Sequence, residues 1–228
     1  MVIGLTGLYC AGKNHVGALL EKQGIPVLDA DKLGHDVLNR ETEKIVSCFG
    51  KEILGSDGKI DRKLLGKLVF GKPSAMAKLE AIVHPVINRL AEEWIAGNKD
   101  VQGTEFCVLN AALLSRSSVF DKLSAVIVVH APLFVRFFRA AKRDKRPFWE
   151  LMKRMGSQKD FPGYKTGKND SQLFFPEADI YTIRNSGFSG SPRILEKRVE
   201  AILEGIQNGK EKIITGYGFR GSVPGNRG

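Results

Sequence analysis

The N-terminal region reads VIGLTGLYCAGKNHVGALL over residues 2–20, and this stretch decides the fold class. Residues 2–6 form a short apolar run of the kind found in buried parallel strands. A glycine-rich turn follows, and residues 13–23 then place apolar side chains on one helical face before Gly24. A second apolar run at residues 25–28 completes a strand–helix–strand unit, which predicts a parallel sheet with right-handed crossovers.

The turn between the first strand and the first helix, residues 7–13, matches the phosphate-binding pattern GxxxxGK and is called the phosphate loop below. In this pattern glycines let backbone N–H groups point at an anion, the helix N-terminus adds its positive end, and the lysine contacts the β- and γ-phosphates. A plain connecting turn is the alternative, but the position of the pattern favours a nucleotide site. The predicted nucleotide-binding residues here are Gly7, Leu8, Tyr9, Cys10, Ala11, Gly12, Lys13, Asn14 and His15.

Two positions in this region carry further predictions. The position after the lysine is normally Ser or Thr, whose hydroxyl holds Mg²⁺, and here it is Asn14. An amide oxygen can also ligate Mg²⁺, so Asn14 is the predicted metal ligand. Cys10 lies near a helix N-terminus, where the pKa of a thiol tends to fall.

Two acidic residues, Asp29 and Asp31, follow the second predicted strand. Ligands bind at the carboxyl ends of strands in open parallel sheets, so Asp31 is expected to face the same crevice as Lys13. An aspartate there can accept the proton of a substrate hydroxyl that attacks the γ-phosphate. For Asp31 this role and a helix N-cap are equally consistent with the pattern, whereas Asp29 fits an N-cap.

The rest of the chain alternates between helical and strand patterns. Residues 31–97 are predicted to be helical, with Asp61 as an N-cap and Pro85 kinking or splitting a long helix. Residues 156–171 predict a mobile loop or lid. The remaining predicted strands are 106–109, 125–129 and 179–183, and the remaining helices are 133–143, 148–155 and 192–206. This order predicts an α/β fold, a doubly wound parallel sheet of about five strands with a helical substrate-binding insertion and a lid.

Composition narrows the class of protein. The 228 residues are 43% hydrophobic and 26% charged, as in a globular protein, and no apolar run approaches the roughly 20 residues that span a bilayer. Three widely spaced cysteines without a CxxC pair argue against a disulfide framework. These features exclude secreted, membrane-spanning and fibrous proteins and predict a cytoplasmic protein without a membrane partner.

The net charge of +10 is concentrated in one segment. Residues 142–168 contain nine basic and three acidic side chains, a net charge of +6. Such a segment suits a phosphorylated small molecule or a nucleic acid, and a solvated surface is the structural alternative. Few aromatic residues are interleaved with these charges to stack on bases, so no nucleic acid partner is expected.

Several motifs resemble those of the dephospho-CoA kinase family, and they follow the family's order over about residues 1–206. The matching segments are IGLTG at 3–7 with the phosphate loop, PVLDADKLGH at 26–35, DGKIDRK at 57–63, LVF at 68–70, LEAIVHP at 79–85, Pro132 with Arg139 and Arg143-Asp144, Gln158, Ala178-Asp179 and Asn185. The DAD and HP segments are the most specific of these.

The resemblance implies an enzyme similar to nucleoside monophosphate kinases that transfers the γ-phosphate of ATP, with Mg²⁺, to the ribose 3′-hydroxyl of dephospho-CoA and so completes coenzyme A. The implied catalytic residues are Lys13, Asp31, Arg139 and Arg143. Asp31 would orient or deprotonate the hydroxyl, and the two arginines would neutralise charge on the transferred group. The implied substrate-binding residues are Asp31, His35 and His84, and Asn185 would lie near the adenine.

Domain boundaries follow from the same resemblance. Residues 1–30, 98–146 and 176–208 are expected to form the nucleotide-binding core, 31–97 the helical acceptor domain, 147–175 the basic lid and 209–228 a disordered tail. A monomer is expected.

Some positions depart from the family's pattern. Besides Asn14, residues 110–116 read NAALLSR where the family has a PLLFE run, with Arg116 in the place of Glu, and residues 161–175 are longer and more basic than the family's lid. No carboxylate follows residues 106–109, and Asn110 is the nearest polar group. The alternatives are therefore a nucleotide- or CoA-binding homologue with weakened catalysis, or a kinase of similar fold with another small-molecule acceptor. Retention of Lys13, Asp31 and both arginines favours an active kinase.

Overall fold

A five-stranded parallel sheet organises the protein in the computed structural model, which describes residues 1–99, 105–112, 114, 119–156, 178–186 and 192–207. The strands are β1 (Val2–Gly7), β2 (Val27–Asp29), β3 (Cys107–Asn110), β4 (Ala125–His130) and β5 (Asp179–Arg184). Their order is β2-β3-β1-β4-β5, and every pair of neighbours is parallel. The predicted α/β class with a doubly wound sheet is confirmed.

Eight α-helices lie within the described residues. They are α1 (Lys13–Lys22), α2 (Ala30–Arg40), α3 (Thr42–Phe49), α4 (Arg62–Val69), α5 (Pro73–Lys99), α6 (Leu133–Asp144), α7 (Phe148–Gly156) and α8 (Pro192–Gln207). Short 3₁₀ turns occur at Lys51–Ile53 and Phe120–Lys122. None of the described helices is long and apolar enough to cross a membrane.

The sheet is buried on both faces, as parallel sheets require. Because successive strand side chains point to opposite faces, β1 places Ile3 and Leu5 in a cluster with α1 and α8, and Val2 in a second cluster with α5. β1 is the central strand, so the phosphate loop that follows it begins in the middle of the sheet's carboxyl edge.

Helices α2 to α5 form a third apolar cluster of their own, whose buried members include Val37, Ile45 and Leu65. The long helix α5 joins this cluster to the sheet, because Val83 packs in the helical cluster and Ile95 packs against the sheet. The helical cluster is thereby held beside the sheet.

Pro85 was predicted to kink or split this helix, and the split is wrong, since Pro73–Lys99 is one continuous helix. Proline lacks the N–H that would bond the carbonyl of residue 81. Both Ala81 and Pro85 lie on the exposed side of α5, where water can satisfy that carbonyl. The two halves of the helix are anchored by different apolar clusters, which keeps them in one element.

Candidate active site

The phosphate loop turns sharply between β1 and α1. Cys10 and Gly12 both have positive φ angles, 59° and 98°, and the Ala11 N–H donates to the Leu8 carbonyl at 2.9 Å. No described side chain caps α1, and its first turn contains no acidic residue. The N–H groups at the start of this ten-residue helix therefore face the loop without a carboxylate, as an anion site requires.

Two glycines of the loop are required by close contacts as well as by conformation. A Cβ atom at Gly12 would lie 2.2 Å from Asn185 Nδ2, and one at Gly7 would lie 2.5 Å from the Val129 carbonyl oxygen. Both positions thus admit only glycine without movement of the neighbouring chain. The loop is packed tightly against β4 and the end of β5.

The structure separates the roles of the two acidic residues after β2. Asp29 is the N-cap of α2, and its Oδ1 accepts hydrogen bonds from the Asp31 N–H at 3.0 Å and the Lys32 N–H at 3.1 Å. Asp31 is not the N-cap, and its Oδ2 forms an ion pair with Lys13 Nζ at 3.0 Å. The loop lysine and the carboxylate at the end of β2 thus lie in one crevice.

Arg139 and Asn185 hold the loop from the opposite side. Arg139 Nη1 donates to the Ala11 carbonyl at 3.1 Å and its Nη2 to Asn185 Oδ1 at 3.0 Å. Asn185 Nδ2 donates to the same carbonyl at 3.0 Å. Burial lowers the pKa of Arg139, but from so high a usual value that the guanidinium remains charged at neutral pH.

Arg136 also contacts the phosphate loop, although no sequence motif singled it out. Its side chain is 1% exposed, and its Nε donates to the Tyr9 carbonyl of the phosphate loop at 2.8 Å. A fully buried arginine is rare unless it has partners. The available signal was its spacing from Arg139 and Arg143, because residues three and seven positions apart share a helix face.

Arg143 is more exposed than the other two arginines of α6, with 61% of its side chain accessible. Its Nε donates to Asp144 Oδ1 at 2.7 Å, and its guanidinium lies 5.2 Å from the centre of the Tyr9 ring. The Tyr9 hydroxyl donates to Asp144 Oδ2. These contacts tie the C-terminal end of α6 to the phosphate loop.

The three histidines of the predicted site lie in different places. His15 is exposed on the first turn of α1, and His84 is half-buried within α5. His35 is exposed and lines a cleft of about 560 Å³ beside α2 and the start of α4. His84 is not part of that cleft's lining.

The predicted lowering of the Cys10 pKa is wrong. Burial raises the pKa of this thiol, and its effect exceeds the opposite influence of Arg143, Arg136 and Arg139. The helix N-terminus and the positive charges favour a thiolate, but loss of hydration costs it more.

The predicted metal ligand contacts the residue at the end of β3. Asn14 Oδ1 accepts a hydrogen bond from Asn110 Nδ2 at 3.4 Å, and Asn110 is 2% exposed. Two amides therefore lie where other phosphate-loop enzymes place a hydroxyl and a carboxylate. Amide oxygens are suitable ligands or water acceptors for a hydrated Mg²⁺, so the residues present fit the ion.

Some predictions lie outside the described residues. They are residues 157–175 of the lid with Gln158, residues 176–177 and 208 of the core, the tail at 209–228, and Arg116.

A model of the family described as dephospho-CoA kinase matches residues 1–162. The chain is 38% identical over 160 residues to a dephospho-CoA kinase of Geobacter sulfurreducens, which covers 69% of this chain and 81% of that protein. Among solved structures, it is similar to a dephospho-CoA kinase from Campylobacter jejuni, with 25% identity, a TM-score of 0.62 and coverage of 91% and 98%. It is also similar to TT1252 from Thermus thermophilus, with 28% identity, a TM-score of 0.69 and coverage of 90% and 96%.

Proposed function

The chain belongs to the dephospho-CoA kinase family, and from this premise we propose that it transfers the γ-phosphate of ATP to the ribose 3′-hydroxyl of dephospho-CoA. This is the last step in the formation of coenzyme A. The observation that carries the proposal is the 3.0 Å ion pair between Lys13 and Asp31, which joins a phosphate-binding lysine to a carboxylate in one crevice. A phosphoryl donor and a hydroxyl acceptor bound there would meet between these two groups.

In the proposed reaction, ATP phosphates take the place of Asp31 as the partner of Lys13, which leaves the carboxylate free for the acceptor. Asp31 then accepts the proton of the 3′-hydroxyl while its oxygen forms a bond to the γ-phosphorus. The bond from that phosphorus to the bridging oxygen breaks, and ADP leaves with the electron pair. Asp31 has half of its side chain exposed, so it can reach a bound substrate.

We assign the charge-neutralising role to Arg139 and Arg143. Support comes from the position of both side chains against the phosphate loop, where positive charge stabilises the transition state. A divalent cation, here Mg²⁺, would screen the phosphate oxygens, with Asn14 on its protein side. Asn185 has both amide atoms bonded within the loop, so we propose that it shapes the loop next to the adenine.

The separate apolar cluster of α2 to α5 supports the proposal that residues 31–97 form the acceptor domain. In this proposal His35 contacts the acceptor through its cleft, His84 shapes the pocket from α5, and residues 147–175 form a basic lid over the phosphates. Residues 1–30, 98–146 and 176–208 form the nucleotide-binding core. We also propose a monomeric protein located in the cytoplasm.

The test is ADP release from ATP and Mg²⁺, with and without dephospho-CoA, in the wild type and in Asp31→Asn. We expect release that requires dephospho-CoA and that falls by about 100-fold or more in kcat in the variant. The control is Asp36→Asn, an exposed aspartate on the same helix, which should retain activity.

Two results would count against the proposal. Equal kcat in the wild type and Asp31→Asn would remove Asp31 from the chemistry. Tight ATP binding without any ADP release would instead favour a nucleotide- or CoA-binding homologue with weakened catalysis.

A further inference from the structure

Asn110 lies at the carboxyl end of the sheet, next to the phosphate loop. Strand register places it opposite Leu5 of β1 on one side and Asp29 of β2 on the other. Its side chain is 2% exposed, and its Nδ2 donates to Asn14 Oδ1 at 3.4 Å. The residue therefore sits under the first turn of α1, where anions and their counter-ions bind.

The oxygen of this amide has no hydrogen-bond partner among the described residues. A buried polar atom without a partner costs free energy, and leucine, whose side chain has the same number and branching of heavy atoms, would avoid that cost. Native structures seldom keep such an atom unless a water, an ion or a ligand satisfies it. Asn110 Oδ1 thus indicates a bound species at the phosphate loop.

The surrounding donor set decides which species fits. No group of three His, Cys, Asp or Glu side chains that could hold a metal ion occurs within the described part of the chain. In the free protein the carboxylate of Asp31 is paired with Lys13, whose positive charge repels a free cation, and in the proposed reaction that carboxylate binds the acceptor hydroxyl once ATP is bound. Mg²⁺ keeps several of its water molecules and takes phosphate oxygens as ligands, and a neutral amide oxygen can accept a hydrogen bond from such a water.

We propose that Asn14 and Asn110 form a binding site without a carboxylate for the hydrated divalent cation of ATP. The cation is then held mainly by the nucleotide and binds only together with it. This inference rests on the proposed function, because it needs a nucleotide in the phosphate loop. It adds that the protein part of the metal site is neutral and that Asn110 Oδ1 accepts from a water molecule on the cation.

The experiment measures free Mn²⁺ by electron paramagnetic resonance in the presence of the full chain, with and without the β,γ-imido analogue of ATP. The variants are Asn110→Asp, which adds a carboxylate of the same shape, and Asn110→Leu, which removes the amide. The control is Gln23→Glu, which adds the same charge at the other end of α1. Binding of the analogue in EDTA is measured in parallel.

We expect the wild type to bind Mn²⁺ only when the analogue is present. Asn110→Asp should bind Mn²⁺ at least about 10-fold more tightly and also without nucleotide, because a carboxylate attracts the ion directly. Asn110→Leu should weaken analogue-dependent Mn²⁺ binding by about 10-fold while raising the midpoint of thermal unfolding, because the unpartnered oxygen is gone. If Asn110 had only a structural role, its replacement by leucine would not raise the midpoint of thermal unfolding and at the same time weaken Mn²⁺ binding.

The inference is overturned if the wild type binds Mn²⁺ equally well without nucleotide, or if all three residues at position 110 give the same Mn²⁺ affinity. If the analogue still binds in EDTA, the proposed function survives that result. If the wild type binds no analogue at all, the proposed function and this inference both fall. Should Asn110→Asp fail to fold, Asn110→Leu alone decides the question.

Discussion

Substitution of Arg136 by methionine tests whether α6 shapes the phosphate loop. The change keeps a long side chain in the buried position but removes the Nε–H that donates to the Tyr9 carbonyl at 2.8 Å. Arg139 and Asn185 still hold the Ala11 carbonyl, so the loop remains attached at its second half. The expected defect is therefore a loosened first half of the loop in an otherwise folded protein.

The size of the effect follows from the lost contact. A hydrogen bond from a charged donor stabilises a folded structure by about 1.5–3 kcal/mol. Without it, the free loop leaves the nucleotide-binding conformation, and part of the binding free energy is used to restore that conformation. Since 1.4 kcal/mol corresponds to tenfold in affinity, we expect the Kd for ATP to rise by about 10- to 100-fold.

The assay is calorimetric titration with ATP, accompanied by thermal unfolding of each variant. The control is Arg193→Met, which removes the same charge from an exposed position on α8 and should leave ATP affinity unchanged. A lower unfolding midpoint with wild-type ATP affinity would refute the argument, because Arg136 would then stabilise the fold without shaping the loop. Restoration of affinity by Arg136→Lys would also contradict it, since an ammonium group cannot reproduce the direction of the Nε–H bond.

Two further predictions concern the loop itself. Gly12→Ala places a Cβ atom 2.2 Å from Asn185 Nδ2 at a φ of 98°, so the affinity for nucleotide should fall by at least about tenfold. The control variant Gly66→Ala adds its Cβ in open space on α4 and should bind nucleotide normally. Equal binding by both variants in the same titration would contradict the packing argument. Because the pKa of Cys10 is raised, its thiolate fraction at pH 7–8 is smaller than that of an ordinary cysteine. Alkylation followed by mass spectrometry should therefore label exposed Cys48 first and Cys10 increasingly as the pH rises. Faster labelling of Cys10 than of Cys48 at pH 7 would show that the pKa of Cys10 is lowered instead.

Local patterns were sufficient for most of the fold. The alternation of apolar runs with glycine turns predicted β1, α1 and the parallel sheet, because strand and helix periods are properties of neighbouring residues. The same was true of Asp61, whose Oδ1 accepts from the Lys63 and Leu64 N–H groups as predicted for an N-cap. The split at Pro85, one of the two predicted alternatives, was wrong because the two packed clusters that hold α5 in one piece come from distant parts of the chain.

The same distinction between local patterns and tertiary contacts applies to the residues of the candidate site. Asp29 was predicted to be an N-cap, and the geometry of α2 confirms it. For Asp31 the pattern left capping and catalysis as equal alternatives, and only the tertiary structure excluded the cap. Arg136 was missed because a helical arginine is usually exposed, and its burial depends on the loop that packs over it. The direction of the Cys10 pKa shift depends on hydration, which no local pattern specifies.

The sequence by itself determined the α/β class, the phosphate loop and the family, because each rests on short motifs and periodicities that the order of residues specifies. Only the tertiary structure decided which side chains meet. Lys13 and Asp31 are 18 positions apart, and Asn14 and Asn110 are 96 positions apart, yet each pair lies within hydrogen-bonding distance. The parallel sheet brings the ends of β1, β2 and β3 to one edge, and that juxtaposition creates the crevice to which we assign the reaction.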